Sequence, residues 1–164
     1  MAKESKIAWT HATFNTHWGC TKVSPGCDHC YAETFSKRLG KNIWGPQAER
    51  RFFGDKHWNE PLKWDAEAKE SGKPFRVFCA SMADVFEDRR DLDVVRARLF
   101  SLIEKTSALT WMVLTKRPEN MIRLAPVRWQ SGWPENVWAG TTIEGERQEE
   151  TRGPVIMQVP AEVH

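Results

Sequence analysis

The chain has 164 residues, 40% hydrophobic and 28% charged, with a formal net charge of +2. This is ordinary for one soluble domain with a core of its own. No apolar run approaches a membrane span, the balanced charge does not by itself indicate nucleic acid, and Met1-Ala2-Lys3-Glu4-Ser5-Lys6 has no apolar signal core behind it, so the chain reads as cytoplasmic with no membrane partner.

A first extended stretch is expected at Ile7-Ala8-Trp9 or at Ala12-Thr13-Phe14. A cysteine loop follows, with Pro25-Gly26 as its turn. Tyr31, Phe35 and Leu39 recur every four residues and predict a short helix directly after Cys30, ending near Gly40. Residues 41–74 read as a long irregular connection of interleaved charges and aromatics. Phe75 to Ala80 reads as a buried strand. The helix after it is capped by Asp91 or Asp93 and carries the stripe Leu92, Val95, Leu99, Leu102 and Ile103. Leu109 to Thr115 is the clearest strand. Pro118 opens a helix containing Met121, Ile122 and Leu124, and Val137 to Thr142 is a further strand. Strands alternating with helices predict an α/β fold of parallel βαβ units, with residues 1–164 as a single domain.

The polar residues fall in one kind of place. Ser81 and Asp84 follow the second strand, Lys116 and Arg117 the third, and Glu144 the fourth. In parallel α/β folds the carboxyl ends of the strands carry the active site. The cysteine loop also follows a strand, so all four groups are expected on one rim. Lys116 and Arg117 suit a carboxylate or phosphate there.

Cys20, Cys27 and Cys30 form a C-x6-C-x2-C run, and a fourth cysteine, Cys79, lies apart. Three thiols in so short a loop leave an odd number locally, which in a reducing compartment favours metal over disulfide. Soft thiolates suit zinc or an iron–sulfur cluster, and spacing alone does not separate them. Zinc takes a fourth ligand from His17 or His29 and only holds the loop. A four-iron cluster on three thiolates leaves one iron open. Cys79, inside an apolar strand, reads as a core thiol. Glu146, Glu149 and Glu150 with Arg147 and Arg152 read as a solvated helix face. Arg50, Arg51, Phe52 and Phe53, then Lys56, His57, Trp58, Lys63 and Trp64, admit a nucleic-acid surface of cations and stacking rings. The plainer reading is a loop whose rings pack inward while its charges stay wet.

Several stretches carry a resemblance. Lys6 to Thr10, Ala12 to Asn15, Gly19 to Cys27 and Cys30 to Glu33 resemble a family of largely uncharacterised phage and prophage proteins allied to radical S-adenosylmethionine (SAM) enzymes. So do Glu60 to Trp64, Ser81 to Phe86, Leu114 to Pro118 and Gly140 to Glu144. The resemblance implies a partial parallel (β/α) barrel of about four βα units, radical-SAM-like, in a carboxyl-terminally shortened member of the family. It implies Cys20, Cys27 and Cys30 as ligands of a [4Fe–4S] cluster with SAM on the open iron. It places Tyr31 beside the cluster, while position past the strand ends puts Ser81 and Asp84 at the cofactor and Lys116, Arg117 and Glu144 at an anion or an unknown small or macromolecular substrate. A shortened barrel leaves an open edge for a protein partner or a second copy. The alternatives are a non-enzymatic phage protein that binds and inhibits a host or defence complex, in an anti-CRISPR-type role, and a zinc-stabilised nucleic-acid-binding protein.

Overall fold

The computed structural model describes Ser5 and residues 7–164. The reading of the amino-terminal hexapeptide therefore lies, apart from Ser5, outside the described residues. The strands are β1 (Ala12–Thr13), β2 (His17–Trp18), β3 (Arg51–Phe52), β4 (Phe75–Cys79), β5 (Leu109–Thr115) and β6 (Val137–Thr141). The helices are α1 (Tyr31–Arg38), α2 (Asp55–Trp58), α3 (Glu60–Ser71), α4 (Asp93–Lys105), α5 (Met121–Leu124) and α6 (Glu146–Ile156).

Four strands form a parallel sheet in the order β1-β4-β5-β6, while β2 and β3 make a separate antiparallel pair. Strand alternation decides which sheet face is covered. Along β5, Leu109, Trp111, Val113 and Thr115 are buried, whereas Thr110, Met112 and Leu114 remain partly exposed. The buried set packs with Val77, Cys79, Val137 and Ala139 against Trp58, Trp64, Leu99, Ile103 and Ile156 of the helices. The other face carries Phe78, Met112, Leu114 and Trp138 around an apolar cavity of about 230 Å³. The sheet is open: beyond β6, Val163 pairs in parallel with Trp138 and its carbonyl accepts the Ala139 N–H at 2.9 Å. Among the described residues no helix is long and apolar enough to cross a membrane.

Three expectations need correction. Residues 41–74 are not one irregular connection, because they contain β3, α2 and α3. The buried set of α3 is Pro61, Trp64, Asp65 and Ala68, and the helix stops at Gly72 with φ +63°. Its stripe mixes an acid and a proline with apolar residues, which hid the helical period. Asp65 is buried because its carboxylate accepts the Ala108 N–H at 2.8 Å and pairs with Lys69 at 2.6 Å. Second, α1 exists where expected but faces the other way. Tyr31, Phe35 and Leu39 are 64%, 46% and 49% exposed, and the buried residues are Ala32 and Ser36. Third, neither Asp91 nor Asp93 caps α4. Leu92 holds the cap position, Asp93 pairs with Arg96 at 2.6 Å, and Asp91 pairs with Arg89 at 2.7 Å. The stripe itself is core, with Leu92, Leu99, Leu102 and Ile103 all buried.

Candidate metal centre

Gly19 sets the start of the cysteine loop. Its φ is +112°, and a Cβ there would meet the Ile43 carbonyl oxygen at 2.3 Å, so no side chain fits. Its N–H donates to Met82 O at 3.0 Å, tying the loop to the segment after β4. The chain then makes a single 3-10 turn at Pro25–Cys27, where the sequence placed its turn. Cys30 occupies the N-cap position of α1. A Cβ on Gly26 would lie 2.6 Å from Glu144 Cγ, so the turn is pressed against that side chain.

Cys20, Cys27 and Cys30 are all free thiols, and all three line one open cavity of about 290 Å³ at the carboxyl ends of the parallel strands. Tyr31, Ser81, Asp84, Lys116 and Arg117 line it too. The rim read from the sequence thus assembles on one cavity, with Phe78 and Leu114 of the sheet as its floor. Glu144 stands behind the loop, joined to Lys116, and Thr142 carries the wall on that side.

The rim residues grip the loop at two points. At the Cys20 end, Arg117 follows β5 and is 6% exposed. Its guanidinium donates to Asp84 Oδ2 at 2.7 Å, to Thr21 O at 2.5 Å and to Cys20 Sγ at 3.6 Å. Asp84 also accepts from Thr115 Oγ1 at 2.7 Å, from the Phe86 N–H at 3.0 Å and from the Lys116 N–H at 3.2 Å. At the Cys27 end, Ser24 Oγ donates to Glu144 Oε1 at 3.0 Å, and Arg152 holds Glu144 Oε2 at 2.9 Å. Arg152 is 8% exposed and also donates to Thr142 O, which corrects its reading as part of a solvated face.

Tyr31 and Ser81 meet across the cavity mouth: the Tyr31 hydroxyl donates to Ser81 O at 2.6 Å. Ser81 Oγ accepts from Asn15 Nδ2 at 3.1 Å, and Asn15 Oδ1 accepts the Met82 N–H at 2.7 Å. Asn15, Ser24 and Thr115 were not singled out from the sequence, and Arg152 was named there only as part of a solvated face. Asn15, Ser24 and Thr115 sit inside the stretches that carry the resemblance, and that was the available signal.

The three thiols have unequal environments. Burial, reinforced by the Asp84 charge, pushes Cys20 up to about 12 against the pull of Arg117. Burial also opposes ionisation of Cys27, but backbone hydrogen bonds at Val23 and Ser24, the Ser24 hydroxyl and the Lys116 charge hold it below the usual thiol range. Burial raises the Tyr31 hydroxyl, and the Cys30 charge adds to that. Burial works against the Glu144 carboxylate, yet Lys116, Ser24 and Arg152 keep it low. Cys79 is fully buried in β4, and burial pushes its thiol far up, as a core cysteine requires.

Cysteine thiolates are the donor type that iron–sulfur clusters use. Three thiols face one cavity, and neither His17 nor His29 lines it. His17 is fully buried on β2, its Nδ1 2.8 Å from Thr16 Oγ1 and its ring against Phe52, and His29 is exposed. Among the described residues no group of three or more His, Cys, Asp or Glu side chains is arranged to hold a metal ion. A single zinc draws its thiolates to about 2.3 Å from one point. A cuboidal cluster instead gives each thiolate its own iron and spreads them further apart.

The basic and aromatic segment does not present a phosphate surface at Arg50. That guanidinium is 5% exposed, and it donates to Glu87 Oε1 at 2.7 Å, to Thr21 Oγ1 at 3.0 Å and to the carbonyls of Ile43, Gly45 and Ala48. Trp58 and Trp64 are core, and exposed Arg51 lies over the Trp18 ring at 4.6 Å. The rings pack inward, as the plainer reading expected, except Phe52, which is 44% exposed.

Neither the curated proteins nor the solved structures contain a match to this chain. A family model described as "Protein of unknown function (DUF5131)" matches residues 4–164, and the chain belongs to that family.

Proposed function

We propose that the chain is a radical-SAM-like iron–sulfur protein of phage type, working in the host cytoplasm, with a [4Fe–4S] cluster on Cys20, Cys27 and Cys30 and SAM at the remaining iron. One observation carries the reading: three free thiols line a single cavity at the carboxyl ends of parallel strands, with no histidine in its wall. When bound, a cluster with an open iron supplies one electron for the reductive cleavage of SAM. The chain's own residues do the holding. Arg117 and Asp84 fix the Cys20 end of the loop, Glu144 fixes the Cys27 end through Ser24, and Tyr31 with Ser81 closes one side of the mouth. Lys116 offers the cavity wall a cation for an anionic group of cofactor or substrate. The test is iron and acid-labile sulfide content after anaerobic purification and reconstitution. A brown protein with a broad visible shoulder, lost in the triple Cys→Ser variant, is the expected result. A colourless protein with stoichiometric zinc and no cluster after reconstitution refutes the reading.

A second reading is docking of a macromolecular partner without turnover, as in an inhibitor of a host or defence complex. Trp9 and Trp138, 46% and 37% exposed, line the apolar cavity on the sheet face that carries Phe78, Met112 and Leu114. A triple Cys→Ser variant that folds and keeps full biological activity favours this reading over the first.

A further inference from the structure

We propose that Arg117 sets the reduction potential of the cluster, through a guanidinium N–H···S hydrogen bond to the Cys20 thiolate. The assignment rests on the iron–sulfur reading above. Three partners fix the guanidinium: Asp84 Oδ2 at 2.7 Å, Thr21 O at 2.5 Å and Cys20 Sγ at 3.6 Å. With its fork spent on Asp84 and Thr21, the group cannot turn away from the sulfur. Arginine stays charged under all working conditions and has only donors to offer. Arg117 is buried and its contact with Cys20 is partly shielded, so the interaction is damped less than it would be in bulk water.

Reduction adds one electron, and the negative charge it brings is shared between iron and the ligating sulfurs. A donor aimed at a thiolate sulfur therefore binds the reduced cluster more strongly than the oxidised one and raises the potential. The neighbouring cation does not do the same. The Lys116 ammonium is joined to Glu144, whose carboxylate offsets it at close range. Asp84 likewise offsets much of the long-range charge of Arg117. What remains at Cys20 is the short-range N–H dipole, so the effect depends on the hydrogen bond and not on charge alone.

Two variants separate these contributions. Arg117→Lys keeps a cation for Asp84 but lacks the fork that reaches Thr21 and Cys20 together. Arg117→Gln removes the charge as well. The reduction midpoint of the reconstituted protein is measured by dithionite titration with redox dyes, after iron and sulfide content confirm an intact cluster. Both variants are expected to shift the one-electron equilibrium at least tenfold toward the oxidised form, a drop of about 59 mV. An Arg117→Lys protein with full cluster content and an unchanged midpoint overturns the assignment and leaves the iron–sulfur reading standing. A wild-type chain that takes up no iron or sulfide overturns the reading and the assignment with it.

A measurement on the wild-type protein does not depend on either variant folding. With isotopically labelled arginine nitrogen, pulsed EPR of the dithionite-reduced cluster is expected to show coupling to a guanidinium nitrogen. A reduced, intact cluster without that coupling overturns the assignment.

Discussion

Asp84→Asn separates a carboxylate that holds the loop from one that touches a ligand. Asp84 is 5% exposed and accepts four hydrogen bonds, two on each oxygen. The amide is nearly isosteric, so no cavity opens. Whichever way it turns, its NH₂ meets donors: the Lys116 N–H and Arg117 on one side, the Phe86 N–H on the other. Thr115 Oγ1 cannot fully compensate, because it already accepts the Arg117 N–H at 2.9 Å. The buried guanidinium then loses its counter-charge. Breaking such a pair from one side costs about 3–5 kcal/mol. For a domain of this size that lowers the melting temperature by about 6–20 °C. The assay is urea and thermal unfolding of the cofactor-free protein, with the free energy taken by linear extrapolation. A variant within about 0.5 kcal/mol of wild type, the range of a plain surface change, that has lost only SAM binding refutes the argument. It would make Asp84 a ligand contact.

Arg50→Ala leaves Glu87 buried without its partner and frees the carbonyls of Ile43, Gly45 and Ala48, so it is expected to cost about 3–5 kcal/mol in urea unfolding. Salt-dependent DNA or RNA binding lost in a variant of wild-type stability would contradict this. His17 sits near pH 4 in the fold, lowered by burial and then by Arg50, against 6.5 in the open chain. The unfolded state therefore takes up the proton first, and stability falls as pH drops from about 6.5 to about 4, by about 3 kcal/mol in all. Unfolding curves across that window should be flatter for His17→Gln, and parallel curves would remove His17 as the cause. Gly26→Ala drives a Cβ into Glu144 and displaces the acceptor of Ser24, so iron uptake on reconstitution should fall while the melting temperature moves by no more than about 4 °C. Unchanged uptake would mean that the Glu144 contact does not place the turn.

The parallel sheet was legible because its strands are short apolar runs set between helical periods, as at Leu109 to Thr115. The rim was legible for a related reason: in this topology, position in the sequence past a strand end predicts position in space. The direction of α1 was not legible. Period tells which residues share a face, and Tyr31, Phe35 and Leu39 do share one, but period does not tell which face is buried when the inward residues are Ala32 and Ser36. The helix α3 failed for the opposite reason. Its inward face holds Asp65, which is buried with the help of Lys69 on the same helix and of the Ala108 N–H, forty-three residues on. Arg50 and Arg152 were misread in the same way, since their partners Glu87 and Thr142 become neighbours only after folding.

The same point bears on how the site is built. A loop carrying Pro25, Gly26 and three cysteines buries little apolar surface of its own, so packing alone cannot hold it. Its backbone and hydroxyl groups need partners from elsewhere. Those partners come one from each strand end: Met82 O after β4 accepts the Gly19 N–H, Arg117 after β5 donates to Thr21 O with Asp84 holding its guanidinium, and Glu144 after β6 accepts from Ser24 Oγ. Lys116 joins the two grips, its N–H to Asp84 and its ammonium to Glu144. The register of the whole sheet therefore sets where the thiols stand. Residues that read as ligand contacts from their place past strand ends are, to this extent, the scaffold of the ligands. Of the charged rim residues, the cation at Lys116 lines the cavity while its partner Glu144 stands behind the loop. An arriving anion would compete with Glu144 for that ammonium, and Glu144 is the residue that anchors Ser24. Binding at the wall and placement of the cysteine loop thus draw on the same two side chains.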